Sequence, residues 1–128
     1  MSKVLLDTDI LSEILKGKSA VVTARAGKYL AQQGCVTTSA TTVAEIVYGF
    51  RRVGREDRVM QFEASLETAE VLPLDDAAAR LAGRINADLE RVGRVIGMPD
   101  VIAAIALRNG LPIVTGNVAH FEQVRLVG

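Results

Sequence analysis

One cysteine, one histidine and no tryptophan occur in 128 residues. With Cys35 alone, an internal disulfide and a zinc–thiolate site are excluded. With His120 alone, a multi-histidine metal site is excluded as well. Lysine stops early: Lys3, Lys16, Lys18 and Lys28 are followed by none, and nearly all later bases are Arg. Neither sign of charge is in excess, with 15 acids against 15 bases. No global positive field therefore draws in nucleic acid, and any such binding must use local patches. Aromatic residues make up 4% of the chain, so a core must be built from Val, Leu, Ile and Ala. Long apolar runs are missing too. The longest, Val101 to Leu107, is far short of the roughly 20 residues that span a bilayer. Asp7 and Asp9 interrupt the first apolar run, which is not the pattern of a signal peptide. The expectation is a soluble, cytoplasmic protein folded as a single domain over residues 1–128.

What is present is a set of short apolar stretches, each ending in polar residues. Val4-Leu5-Leu6 runs straight into Asp7-Thr8-Asp9. An unbroken apolar run is the pattern of a buried parallel strand. Such a strand carries no carboxylate in its middle but delivers one at its carboxyl end, where ligands bind in open α/β sheets. Asp7 reads either as a site residue or as the cap of the helix that follows.

Ile10 to Leu15 has helical spacing, stopped by Lys16-Gly17-Lys18. Ser19 caps a second helix to about Gln33, closed by Gly34, and Val36-Thr37-Thr38 is a second strand. Ser39 to Thr42 offers caps for a third helix. Its apolar face is Val43, Ile46, Val47 and Phe50, and Thr41, Glu45, Tyr48 and Arg52 lie on another. Gly54 breaks it, and Glu56-Asp57 start a fourth helix whose buried side is Val59, Phe62 and Leu66. Glu70 to Leu74 is a third strand, at an edge because of Pro73. Asp75-Asp76 start a long helix to about Val92, and residues 93–97 form a loop. Pro99-Asp100 opens a helix to Asn109, and Leu111 to Thr115 is a fourth strand. Gly116-Asn117 turns, His120-Phe121 are helical, and Val124 to Val127 is a last edge strand. This alternation predicts a three-layer α/β/α domain with a central, mostly parallel sheet of four to five strands.

In a parallel sheet the strand carboxyl ends share one edge, and crossover helices begin there. Asp7, Glu45 and Asp100, far apart in the chain, are therefore expected to converge, with Thr115 and Asn117 beside them. Three gathered carboxylates repel, and a divalent cation makes the cluster favourable. Oxygen ligands without His or Cys point to Mg²⁺ or Mn²⁺, which suit phosphodiester hydrolysis. Each acid also has a plainer explanation. Glu45 fits a solvated helix face, Asp100 fits a helix N-terminal acid, and Asn117 fits a turn. Arg51, Arg52, Arg55 and Arg58 either follow phosphates or form a solvated face. Tyr29 and Tyr48 are too few to propose a base-stacking platform.

Together, Val4 to Ser12, Thr42 to Gly49, Gly97 to Ala104 and Val114 to Asn117 resemble the PIN-domain ribonucleases, and among them the VapC-type toxins of VapBC pairs. The resemblance covers essentially the whole chain. It implies the PIN fold, Mg²⁺-dependent endonucleolytic cleavage of a structured RNA (tRNA or rRNA) and inhibition of translation. It carries Asp7, Glu45 and Asp100 over as the metal-binding acids, with Thr115 as the family's hydroxyl residue. Many members place a further Asp near Asn117; Asn ligates or orients water but brings no charge. The resemblance also implies a homodimer and a VapB-type antitoxin over the acidic site. Ile10, Leu11, Ile14, Leu15, Val59 and Phe62 are either its groove or ordinary core. Two other readings remain. A DxD phosphatase matches Asp7-Thr8-Asp9 but requires a late lysine. A non-catalytic PIN-like binding module would use the acids to hold a partner's Arg.

Overall fold

The computed structural model describes residues 2–93 and 98–115. The order of elements is β1 (Leu5–Leu6), α1 (Thr8–Lys16), α2 (Ala20–Gln33), β2 (Thr37–Ser39), α3 (Ala40–Arg52), α4 (Glu56–Ser65), β3 (Glu70–Leu72), α5 (Asp76–Arg91), α6 (Met98–Arg108) and β4 (Ile113–Val114). A 3₁₀ turn, Leu66–Thr68, lies between α4 and β3. Local chemistry sets most of these boundaries. Asp7, Ser19, Ser39 and Asp75 each accept a backbone N–H of the helix they precede. Gly17 ends α1 at φ +64°, a conformation open to glycine and strained for other residues.

Every strand pair is parallel, in two ladders. β1 pairs with β4, and β2 pairs with β3. β1 and β2 lie side by side, and the buried Thr38 hydroxyl donates to Leu6 O at 2.9 Å. Among the described residues, the four strands expected in one sheet thus form two parallel pairs lying side by side, bridged by a side chain. β1, β3 and β4 are shorter than the apolar runs suggested, and β2 keeps its length one residue later. Pro73 follows β3 directly, and Pro112, lacking an N–H, precedes β4 while its carbonyl still accepts from Leu5 N at 2.9 Å. The expected strand at Val124 to Val127 lies outside the described residues, as do Gly116-Asn117, His120-Phe121 and most of the loop at 93–97.

The three layers follow from two adjacent leucines. Leu5 packs with Ala78 of α5 and with Ile102 and Ile105 of α6. Leu6, on the opposite face, packs with Leu11 of α1, Ile46 of α3 and Phe62 of α4. A second cluster on the Leu5 side joins Ile85 and Leu89 to Ala103 and Ala104, where α5 lies against α6. Residues 102–106 of α6 are all buried, so the longest apolar run is an interior helix. β2 is buried although it is built of hydroxyl residues, and each hydroxyl is satisfied. Thr37 donates to Glu70 Oε1, Thr38 to Leu6 O, and Ser39 to Thr42 Oγ1.

Candidate metal and nuclease site

Asp7 is both things its sequence suggested. It is the N-cap of α1, accepting from Ile10 N at 2.9 Å through Oδ1, and it is 4% exposed at the carboxyl end of β1. Its other oxygen, Oδ2, accepts from the Thr115 hydroxyl. β4 brings that hydroxyl there, because the parallel register sets Leu6 against Val114 and the next residue of each strand follows in step. The Asp7 N–H donates to Val114 O at 3.2 Å, which holds the two chains together just past the ladder. The predicted juxtaposition of Asp7 and Thr115 is therefore observed.

Glu45 is reached through Thr8, a residue the sequence did not single out. The Thr8 hydroxyl donates to Glu45 Oε1 at 2.7 Å. Thr8 has one proton and the carboxylate only accepts, so the Thr42 hydroxyl, 3.1 Å away, donates in turn to Thr8. Ser39 donates to Thr42, again at 3.1 Å. A file of three hydroxyls thus runs from the cap of α3 to Glu45, each bond polarising the next. No local signal marks this. Thr8 and Glu45 are 37 residues apart, and Ser39 and Thr42 read only as alternative caps.

Asp100 stands in the first turn of α6 and is 0% exposed. The N-terminal end of a helix favours a negative charge, but complete burial goes far beyond what a solvated capping acid needs. The elements bearing the three acids are packed together: α1 lies on α3, and α3 on α6. Asp7 and Glu45 are joined through the neighbouring Thr8. Among the described residues, however, no three Asp, Glu, His or Cys side chains stand as a ready-made metal cage. The fifth expected site residue, Asn117, lies outside the described residues.

The donor chemistry suits a hard cation. Asp7 and Asp100 are buried carboxylates, and the known partners of Asp7 are neutral N–H and O–H groups that leave its charge to be balanced. Asp9 is exposed on α1 while Asp7 is buried, so the two do not share the pocket a DxD phosphatase needs. The arginines divide. Arg51 pairs with Glu56 at 2.8 Å and Arg55 with Asp57 at 2.9 Å, whereas Arg52 lies over the Tyr48 ring, 5.8 Å from its centroid. The Arg55 guanidinium lowers the Asp57 carboxyl to about 2.

Of the residues expected to form either a groove or core, Leu11, Val59 and Phe62 are core. Ile10 and Ile14 are only partly buried and line an apolar cavity of about 520 Å³ between α1, α2 and β1, with Arg25 and Lys28 among its lining residues.

The chain matches the PIN domain family over residues 4–125. It is 37% identical to a tRNA(fMet)-specific endonuclease VapC of Shigella flexneri, over 97% of this chain and 93% of that one. It is 32% identical to ribonuclease VapC2 of Haemophilus influenzae, with the same coverage. Among solved structures it is similar to the DNA-bound VapBC of Salmonella typhimurium, with a TM-score of 0.81 and 30% identity. That match covers 97% of this chain and 93% of the other.

Proposed function

The chain belongs to the PIN domain family, and from that premise we propose that it is a Mg²⁺-dependent endoribonuclease, the toxin of a VapBC-type pair. The observation that carries this reading is the arrangement of Asp7 and Glu45. Both oxygens of Asp7 are fixed by Ile10 N and Thr115, and Glu45 is fixed by the hydroxyl next to it. Side chains held in this way are preorganised, so a cation seated on them would need no rearrangement to neutralise charge on a reacting phosphate.

Asp7, Glu45 and Asp100 are the residues that would hold the metal. Mg²⁺, or Mn²⁺ in its place, supplies when bound an acidified water and neutralises charge on the phosphodiester. Asp7 orients through its two fixed hydrogen bonds and cannot swing away without uncapping α1. Thr8 holds Glu45 by one oxygen and leaves the other available. Asp100 brings a charge from the interior side, where exclusion of water strengthens its effect. Asn117 would orient a water without adding charge. The substrate is a structured RNA, a tRNA or an rRNA loop, and its cleavage stops translation. That the Shigella relative is named for tRNA(fMet) supports the tRNA class.

The antitoxin is of VapB type, in keeping with the VapBC composition of the Salmonella complex. The apolar cavity beside α1, with Arg25 and Lys28 in its lining, suits an apolar antitoxin segment bearing an acid. The active form is a homodimer, as the family resemblance implies.

The test is cleavage of purified tRNA and rRNA by the purified protein. Cleavage with Mg²⁺ or Mn²⁺ that ends on adding EDTA is the expected result. Cleavage that continues in EDTA rejects the metal mechanism. A protein that cuts no RNA but binds an Arg-bearing peptide tightly is a binding module.

A further inference from the structure

We propose that Tyr48 and Arg52 form a subsite beside the acids that seats one unpaired base and its phosphate. This rests on the ribonuclease reading and adds to it where the RNA chain lies. The two tyrosines, indistinguishable in the sequence, have opposite environments. Tyr29 is 7% exposed, and its hydroxyl bonds both the N–H and the carbonyl of Val4, so it is structural. Tyr48 is 66% exposed and has a guanidinium across its ring.

An exposed ring is ordinary taken singly; its setting on α3 is what matters. Glu45, Tyr48 and Arg52 follow at i, i+3 and i+7, so they form a single stripe. Tyr48 stands one helical turn beyond Glu45, roughly 4.5 Å further along the axis, a distance within one nucleotide of an RNA strand. Arg51 and Arg55 are neutralised by acids at the start of α4. Among the described residues, Arg52 is held instead by the ring, which leaves its charge to meet a phosphate.

Gly49 keeps low the stretch of helix surface between Glu45 and Arg52, its neighbours at i−4 and i+3. It sits inside α3 one turn beyond Glu45, and a Cβ there would meet nothing within 4 Å. Packing does not require a glycine at that point. A flat base stacks on an aromatic face whatever its identity, and a cation on the same ring strengthens the platform. The base must be unpaired, because a paired base in an A-form helix does not offer its face.

The experiment uses the full chain and a fluorescein-labelled single-stranded RNA of about 12 nucleotides. Binding of that strand is read by anisotropy in EDTA, and cleavage of purified tRNA and rRNA in Mg²⁺. Tyr48→Ala should raise the Kd roughly tenfold. Tyr48→Phe should stay within about twofold, because stacking needs the ring and not its hydroxyl. Arg52→Gln should reduce the steepness of the salt dependence by about one phosphate contact. In cleavage, Tyr48→Ala should raise KM and leave kcat nearly unchanged. Wild-type cleavage with unaltered binding and KM in Tyr48→Ala overturns the subsite while leaving the ribonuclease intact. A Tyr48→Ala protein that sediments as a monomer where wild type is a dimer, with the same Kd, assigns the ring to self-association and also overturns it. A wild type that cuts tRNA or rRNA but does not bind the labelled strand also overturns the subsite, whereas one that cuts neither tRNA nor rRNA in Mg²⁺ sinks the ribonuclease reading and the subsite with it. Thermal melts by circular dichroism should match wild type, given the exposure of the ring.

Discussion

Thr8 donates its hydroxyl proton to Glu45 at 2.7 Å, and it is the residue next to Asp7. One short bond therefore ties the end of β1 to the second turn of α3. A hydrogen bond to a charged acceptor is worth more than a neutral one, roughly 1.5–3 kcal/mol. Thr8→Val keeps the shape and removes the donor. RNA cleavage by that variant is expected to fall about 10- to 100-fold, the usual effect of losing a group that orients a ligand. Steady-state cleavage rates check this, and a rate within twofold of wild type would remove Thr8 from the site.

Asp7 has two roles, and two substitutions separate them. Asp7→Asn keeps an oxygen that accepts from Ile10 N, so the cap of α1 survives while the charge is lost. Asp7→Ala loses both, and loss of a helix cap costs about 1 kcal/mol. Both variants should be inactive. Urea denaturation should show reduced stability for the alanine variant alone.

Far from the acids, Lys3 and Thr37 both bond Glu70 at the start of β3. The ammonium of Lys3 first, and then the Thr37 hydroxyl, holds the Glu70 carboxyl below its ordinary value. The same bond to Glu70 raises Lys3. A lowered carboxyl contributes stability above its unfolded value, near pH 4.3, and loses it as pH falls through the folded value. A raised lysine contributes below its unfolded value, about 10.4, and loses that as pH rises through the folded one. Both partners are more than one-third exposed on their side chains, so water screens the pair. Glu70→Gln should lower the thermal midpoint at pH 7 by roughly 1–3 °C, and by progressively less as the carboxyl is protonated toward pH 2.5. A difference that persists unreduced at pH 2.5 would assign the effect to packing.

Gly83 is an exposed helical residue of α5, and a Cβ built on it meets nothing within 4 Å. Glycine in a helix interior is about 1 kcal/mol less favourable than alanine. Gly83→Ala should raise stability by about 0.5–1 kcal/mol in urea titration, with cleavage unchanged.

How far the sequence carries can be followed through single residues. The boundaries of α1, α2, α3 and α5 were legible because caps act locally: Asp7, Ser19, Ser39 and Asp75 bond a backbone N–H three residues on. Leu5 and Leu6 were legible as a buried strand because both faces of a covered sheet demand apolar side chains. Asp7 and Asp100 were legible as candidates from their position at strand and helix ends, and both proved buried. The lengths of β1, β3 and β4 were overestimated, because apolar character extends beyond the residues that pair across a ladder.

What the tertiary structure alone decided is which groups meet. Thr8 and Thr42 look like any helix-terminal threonines until the parallel arrangement lays α1 on α3. Tyr29 and Tyr48 differ only in which helix face the core covers. Caps, breaks and periodicity arise from forces between residues a few places apart, so the chain records them directly. Contacts across 37 or 108 residues depend on the packing of whole layers, and no local pattern encodes their partners.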